Sequence, residues 1–181
     1  MSGPLNLVVP VVELMHSPGE MRELQLTLES PTHYGEGVVQ VAEGETMSIP
    51  LRLESLHEGI LASGEIHTRA QGECGRCLDP IELPIDTEFQ ELFAYLPDEA
   101  YDYTVVDETI DLDQIVRDHV VLALPFQPVC SPDCLGLDPA TGEKRTSDTP
   151  TTTEPVVDPR WAELEKFLSQ GDADHPDQTQ Q

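Results

Sequence analysis

The sequence predicts an α+β domain: a mostly antiparallel, twisted sheet, curled toward a barrel, with one helix packed across it and a second helix near the C-terminus. Three observations point there. Between Met21 and Tyr95, several runs place apolar residues at every second position, the period of half-buried strands. A stretch opening at Asp111 switches to helical spacing behind a capping-box pattern. A Thr-, Pro- and Asp-rich segment, 138–157, then has too little apolar content to bury a core. It reads as a linker between the domain, residues 1–137, and a short helix at 158–170, with a disordered tail at 171–181.

Leu5–Val12 is apolar, but no Lys or Arg precedes it and Pro10 interrupts it. It is too short to span a bilayer, so no membrane partner is expected. The chain is expected in the cytoplasm, where thiols are normally reduced. Leu24, Leu26 and Leu28 alternate with polar residues as a first strand, and Pro31 to Gly37 is a turn-rich break. Val38–Ala42 is a short second strand. Met47, Ile49, Leu51 and Leu53 alternate as a third, and Pro50 within it calls for an edge position or a bulge.

His57-Glu58-Gly59 turns the chain into Ile60–Ala70, where Ile60, Ala62, Ile66 and Thr68 share a face. Ile81, Leu83, Ile85, Phe89, Phe93 and Tyr95 then fall on one parity, the strongest alternation in the chain. Between these last two strands lies Cys74-Gly75-Arg76-Cys77, at the tip of a hairpin.

Asp111 is the expected N-cap of the first helix, with Gln114 completing the box and Ile110 and Ile115 as its apolar staple. Leu112, Ile115, Val116, His119, Val120 and Ala123 form one stripe, and Pro125 ends it. A lone His on such a stripe packs more often than it ligates, so His119 carries no assigned chemistry. The last helix would start at Asp158 and Pro159 and stop at Gly171. Its Trp161, Leu164 and Leu168 either dock on the chain's own domain or engage another protein.

The four cysteines are the sequence's chemical feature. Cys74 and Cys77 form a C-x2-C pair, and Cys130 and Cys134 a C-x3-C pair. Together they offer the four thiolates of a tetrahedral structural zinc. Gly75 suits the first pair, because two convergent sulfurs on a short loop need a sharp turn between them. Zinc ribbons space their pairs by about 15 to 20 residues, and here far more chain intervenes. Ordinary reduced cytosolic thiols are therefore the standing alternative. A redox C-x-x-C would open a helix after a parallel strand, whereas this one precedes Leu78-Asp79-Pro80 and an alternating strand. No phosphate loop, His-Glu-x-x-His or Gly-x-Ser-x-Gly is present, and no catalytic residue is assigned.

Charge narrows the partners. With 35 acidic and 9 basic residues the formal net charge is −26. Nucleic-acid affinity rests mainly on Lys and Arg neutralising phosphates, so this chain suits a basic protein, or simply a well-solvated surface, better than an RNA backbone. Aromatic residues make up only 5% of it, which leaves few platforms for stacking bases.

Several motifs stand together in a familiar order. They are Pro18-Gly19-Glu20-Met21-Arg22-Glu23-Leu24, then Cys74-Gly75-Arg76-Cys77-Leu78-Asp79-Pro80, then Phe89 with Glu91 and Phe93. Ile110-Asp111-Leu112 follows, opening a helix that ends Leu122-Ala123-Leu124-Pro125, then Pro128 with Cys130 and Cys134, and finally Asp158-Pro159-Arg160-Trp161-Ala162-Glu163-Leu164. In these the chain resembles the YceD family, the large ribosomal RNA subunit accumulation proteins. The resemblance implies a non-enzymatic cytosolic factor supporting synthesis, processing or stability of 23S ribosomal RNA and biogenesis of the large subunit. With the acidic charge, the expected partner is a basic ribosomal or rRNA-processing protein. An RNA-processing enzyme and a direct RNA-binding module are the alternatives. Related sequences often carry further cysteines after the equivalent of Cys134. Here Asp138 and Ala140-Thr141-Gly142 bring none, so a metal site would have to join Cys74 and Cys77 to Cys130 and Cys134.

Overall fold

Alternation becomes pairing in the computed structural model, which describes residues 7–15, 17–97, 100–139 and 141–146. The chain runs β1 (Val8–Pro10), a one-turn helix α1 (Val12–Met15), β2 (Met21–Glu29), β3 (Val39–Gln40) and β4 (Thr46–Ser55). It continues through β5 (Gly59–Glu73), β6 (Pro80–Ala94), β7 (Tyr103–Thr104), β8 (Thr109–Asp111) and α2 (Asp113–Ala123). One sheet has the order β2-β4-β5-β6-β7, with β3 pairing β5, and β1 pairs β8 separately. All pairings are antiparallel except β6 with β7. Among the described residues no pairing joins β2 to β7, so the sheet is open and the expected curl into a barrel does not close. The expected helix at 158–170 with Trp161, most of the linker and the tail lie outside the described residues.

The buried side of the sheet is built by the predicted parity. Met47, Ile49, Leu51 and Leu53 of β4 are at most 2% exposed, as are Ile60, Ala62 and Ile66 of β5. Each large apolar side chain so buried contributes about 1.5–3 kcal/mol. Against this face α2 lays Ile115, Val116 and Val120, with Phe93 and Ile110 beside them in the same core. Gly64 shares the core parity of β5, where a Cβ would come within 2.7 Å of the Phe89 ring on its partner strand. The glycine therefore makes room for the aromatic, which also meets His119 of α2 at a ring separation of 6.0 Å.

Two local expectations need correction. Pro50 sits in β4, between β2 and β5, and not on an edge. It pairs with Gln25 of β2, while the β4–β5 ladder passes from Ser48↔His67 to Leu51↔Gly64 without a partner for it. The register is the same on both sides of the gap, so no residue is bulged out. The missing N–H costs only local ladder bonds. The helix, moreover, begins at Asp113 with Leu112 in the cap position, and Leu112 makes no side-chain cap bond. Asp111 ends β8, and its carboxylate still accepts the Asp113 N–H at 2.9 Å. Gln114 turns instead to Asp118, so no capping box forms. Strand β8 holds Asp111 in the β1 ladder, which moves the helix start forward.

On the other face of the sheet, His67 Nδ1 lies 2.7 Å from Asp86 Oδ1, and Nε2 lies 3.4 Å from Glu65 Oε2. The Asp86 hydrogen bond, followed by the charges of Asp86 and Glu65, raises the imidazole above its usual range. A raised folded pKa stabilises the fold below the unfolded value of about 6.5, and this contribution fades as pH rises through the folded value. Asp86→Asn should lower the His67 pKa in an NMR titration of its ring protons. An unchanged value would mean that Asp86 is not the cause.

Asp111→Ala should cost roughly 1 kcal/mol, as for loss of a helix-start acceptor, and leave function otherwise intact. Denaturant unfolding checks the first part. Loss of function at full stability would make Asp111 a site residue.

Candidate metal centre

The hairpin of β5 and β6 closes at the pair Glu73↔Pro80, leaving Cys74–Asp79 as its tip. The Cys74 N–H donates to the Asp79 carbonyl at 2.7 Å, and the Leu78 N–H to the Cys74 carbonyl at 2.9 Å. Leu78 has a φ of 60°. The left-handed residue of the turn is therefore Leu78. Gly75 has no positive φ, and a Cβ there would make only ordinary contact with the Pro128 carbonyl. That carbonyl accepts the Gly75 N–H at 2.8 Å, the first link to the second cysteine loop.

The second pair follows α2. Leu124 turns extended ahead of Pro125, and the chain reaches Pro128 beside the hairpin tip. The Cys134 N–H closes a turn onto the Ser131 carbonyl at 3.1 Å. Arg76 then joins the loops: its Nη1 donates to the carbonyls of Pro132 at 3.1 Å and Cys134 at 3.0 Å. Its own carbonyl accepts the Leu137 N–H at 3.1 Å. Gly136, at φ 76°, passes so close that a Cβ would lie 3.0 Å from that same Arg76 carbonyl. A residue without a side chain meets both demands without strain.

The stretch after Asp138, expected to be the start of the linker, is tied down as well. Leu137 bridges Lys144, and the Asp138 N–H donates to the Glu143 carbonyl at 2.7 Å. The Lys144 ammonium reaches both oxygens of Asp79, at 2.5 and 2.7 Å. This pair holds the Asp79 carboxyl below its usual range and the Lys144 amine above its own. Both partners are well exposed, so the pair positions the segment more than it stabilises the fold.

These contacts bring all four predicted cysteines together, with their sulfurs within 4.8 Å of one another. Cys74 Sγ is 3.9 Å from Cys134 Sγ, and Cys77 Sγ is 3.7 Å from Cys130 Sγ. Both separations far exceed a disulfide bond. They match the edge of a tetrahedron whose ligands lie at the thiolate–zinc distance, about 3.8 Å for bonds of about 2.3 Å. Cys74 and Cys77 are buried, Cys134 is half-buried and Cys130 is exposed.

Without a cation, four thiolates at these distances repel one another. N–H groups of Cys130, Arg76 and Cys77 converge on Cys74 and bring its pKa down to about 6. At Cys77 the Asp79 amide pulls the same way, but burial and the thiols of Cys74, Cys130 and Cys134 prevail and push it up to about 12. Cys130 is also raised, first by Cys134. Cys74 is thus readily ionised, while Cys77 and Cys130 need an added positive charge. A divalent cation supplies that charge and releases their protons on binding. The donor set and its spacing fit a metal ion.

The sequence pointed to the four sulfurs and passed over what positions them. Arg76 and Asp79 lay inside the quoted motif without a role. Lys144 gave no signal at all, because its partner is 65 residues away.

A family model described as "Large ribosomal RNA subunit accumulation protein YceD" matches residues 62–168, a span that contains all four cysteines. Similar curated proteins include the uncharacterized protein Rv2926c of Mycobacterium tuberculosis, 42% identical over 170 residues, which are 90% of this chain and 81% of that protein. The uncharacterized protein ML1660 of Mycobacterium leprae is 34% identical over 176 residues, or 91% of this chain and 80% of the relative. YlbN of Bacillus subtilis is 34% identical over 104 residues, or 55% and 60% respectively. No solved structure matches the chain.

Proposed function

Because the chain belongs to the YceD family, the large ribosomal RNA subunit accumulation proteins, we propose that it is a non-enzymatic factor supporting synthesis, processing or stability of 23S ribosomal RNA. It serves large-subunit biogenesis in the cytoplasm, through a basic ribosomal or rRNA-processing protein. The family match over residues 62–168 carries this reading. The charge of −26 supports a protein partner over bare RNA, because carboxylates repel phosphates and attract Lys and Arg.

Cys74, Cys77, Cys130 and Cys134 serve this role as ligands of a structural zinc. Two sulfur separations close to the tetrahedral edge, with all four sulfurs within 4.8 Å of one another, support that assignment. Bound zinc would crosslink the hairpin tip to the loop after α2. The chain's own part is to orient the sulfurs through Arg76, Gly136 and the amides aimed at Cys74.

Protein purified under reducing conditions should hold about one zinc per chain, and Cys77→Ser should lose it. Chelation should free residues 128–146 for hydrogen exchange while the sheet stays folded on its own core. Elemental analysis that finds no zinc would end the assignment.

Cells lacking the chain should accumulate less 23S than 16S ribosomal RNA, and the native protein should co-purify with a basic protein whose binding weakens as salt rises. Normal 23S levels would overturn the role. Saturable binding to protein-free 23S fragments at moderate salt would replace the adaptor with direct RNA recognition, and cleavage of those fragments would make the chain an enzyme.

A further inference from the structure

The edge of a sheet presents a run of unpaired backbone, and among the described residues one edge here is bare over several positions. Strand β6 pairs with β5 along its whole length, but on its other side only Phe93 and Ala94 meet β7. The direction of the remaining groups follows from two bonds. The Ala94 carbonyl accepts the Val105 N–H on the β7 side, while the Tyr95 N–H donates to Glu58 on the β5 side. Backbone groups alternate sides along an antiparallel strand. Asp86, Glu88, Gln90 and Leu92 therefore present their N–H and C=O groups outward, away from β5.

Pro80 and Pro84 share that outward parity, so neither removes a bond from the β5–β6 ladder. They blunt the end of the edge nearest the cysteines. From Asp86 to Leu92 no proline or bulge interrupts it: the register with β5 is unbroken, and among the described residues no backbone bond reaches the outward groups. About seven residues of extended partner chain, on the order of 23 Å, would fit there.

The rim of this edge has one dominant sign. Asp86 and Glu88 are exposed on the solvent face, and Glu91 lies on the other side of the strand. At the β7 end, Glu91, Asp118 and Asp102 all bear on Tyr103, whose phenol is raised first by burial and then by these carboxylates. His67 and Arg69 stand one strand inward, His67 already bonded to Asp86. The opposite edge, β2, is mixed in sign and includes the Arg22–Glu13 pair.

We propose that the free edge of β6 from Asp86 to Leu92 takes an extended, Lys- and Arg-rich segment of a protein partner as an added strand. This rests on the reading above, in which the chain acts through a basic protein, and it names the surface used. Main-chain bonds supply the pairing, and the flanking carboxylates select the charge. Charge argues against other occupants. Two copies of this edge would set carboxylates against carboxylates. The chain's own residues 147–181 carry eight acidic and two basic residues and are also repelled.

The test uses the full chain and a synthetic peptide, Lys-Thr-Lys-Val-Lys-Thr-Lys-Val-Lys, at low salt. Binding should slow hydrogen exchange at the amides of Asp86, Glu88, Gln90 and Leu92. The same peptide N-methylated at alternate residues should bind at least tenfold more weakly. Gln90→Pro, placed like Pro84 on the outward parity, should keep the thermal midpoint and also lose at least tenfold. Equal affinity for the two peptides would overturn the proposal, as would protection at amides elsewhere, or a concentration-dependent dimer that uses this edge. The N-methylated arm needs no variant, so it decides even if Gln90→Pro unfolds. The two levels separate in cells. Normal 23S levels with Gln90→Pro would sink the edge and leave the role standing, whereas normal levels in cells lacking the chain would sink the role itself.

Discussion

The long pairing of Gly59–Glu73 with Pro80–Ala94 sets the position of nearly everything else. Side chains alternate with a period of two, so a single register decides which residues of both strands face the core. In the observed register Ile60, Ala62 and Ile66 lie beside Phe89, Phe93 and Ile85 under α2. A slip of one residue would turn that whole set to water. The same register puts Gly64 opposite Phe89, giving the ring its seat, and brings Cys74 and Cys77 to the end of the hairpin. The core and the cysteine centre are thus two ends of one ladder.

Among the described residues, two of the chain's scarce cations stand at the end of that ladder. Arg76 and Lys144 both serve the junction of the cysteine loops, one through carbonyls and the other through Asp79. Arg22, Arg52 and Arg117 each stand near a carboxylate of their own neighbourhood. These five cations are therefore paired locally, and the acidic excess of the chain dominates the field that reaches solvent. Such a field speeds the approach of a basic partner at low salt and falls off over roughly 8–10 Å at physiological ionic strength.

Local periodicity was legible in the sequence. The alternations of β2, β4, β5 and β6, the stripe of α2 and the placing of Cys74 and Cys77 at a hairpin tip all follow from residues a few positions apart. What could not be read were choices made by distant chain. Pro50 suggested an edge, but the sheet adds β2 beyond β4 and accommodates the proline with a gap in one ladder. Asp111 had the composition of a cap, yet pairing with Val8 holds it in β8. The apolar run at the N-terminus, read only for what it is not, supplies β1. For the candidate site, the residue types were visible but their meeting was not. The spacing between the pairs departs from familiar metal ribbons, and convergence depends on α2 returning the chain to the hairpin tip, where Arg76 and Gly136 interlock.

That return has a consequence for the unfolded chain. Cys77 and Cys130 are 53 residues apart, and the intervening stretch contains β6, β7, β8 and α2. Any link through these sulfurs ties a long loop, which removes conformational freedom from the denatured ensemble. For a covalent bridge of that length the chain-entropy effect is on the order of 4 kcal/mol. The hairpin tip is made by neighbours in sequence and can form early, whereas its counterpart arrives only when the helix has been laid down. A link through the four sulfurs would therefore close late and act as a latch, adding little to the shape of the sheet and much to the difficulty of undoing it.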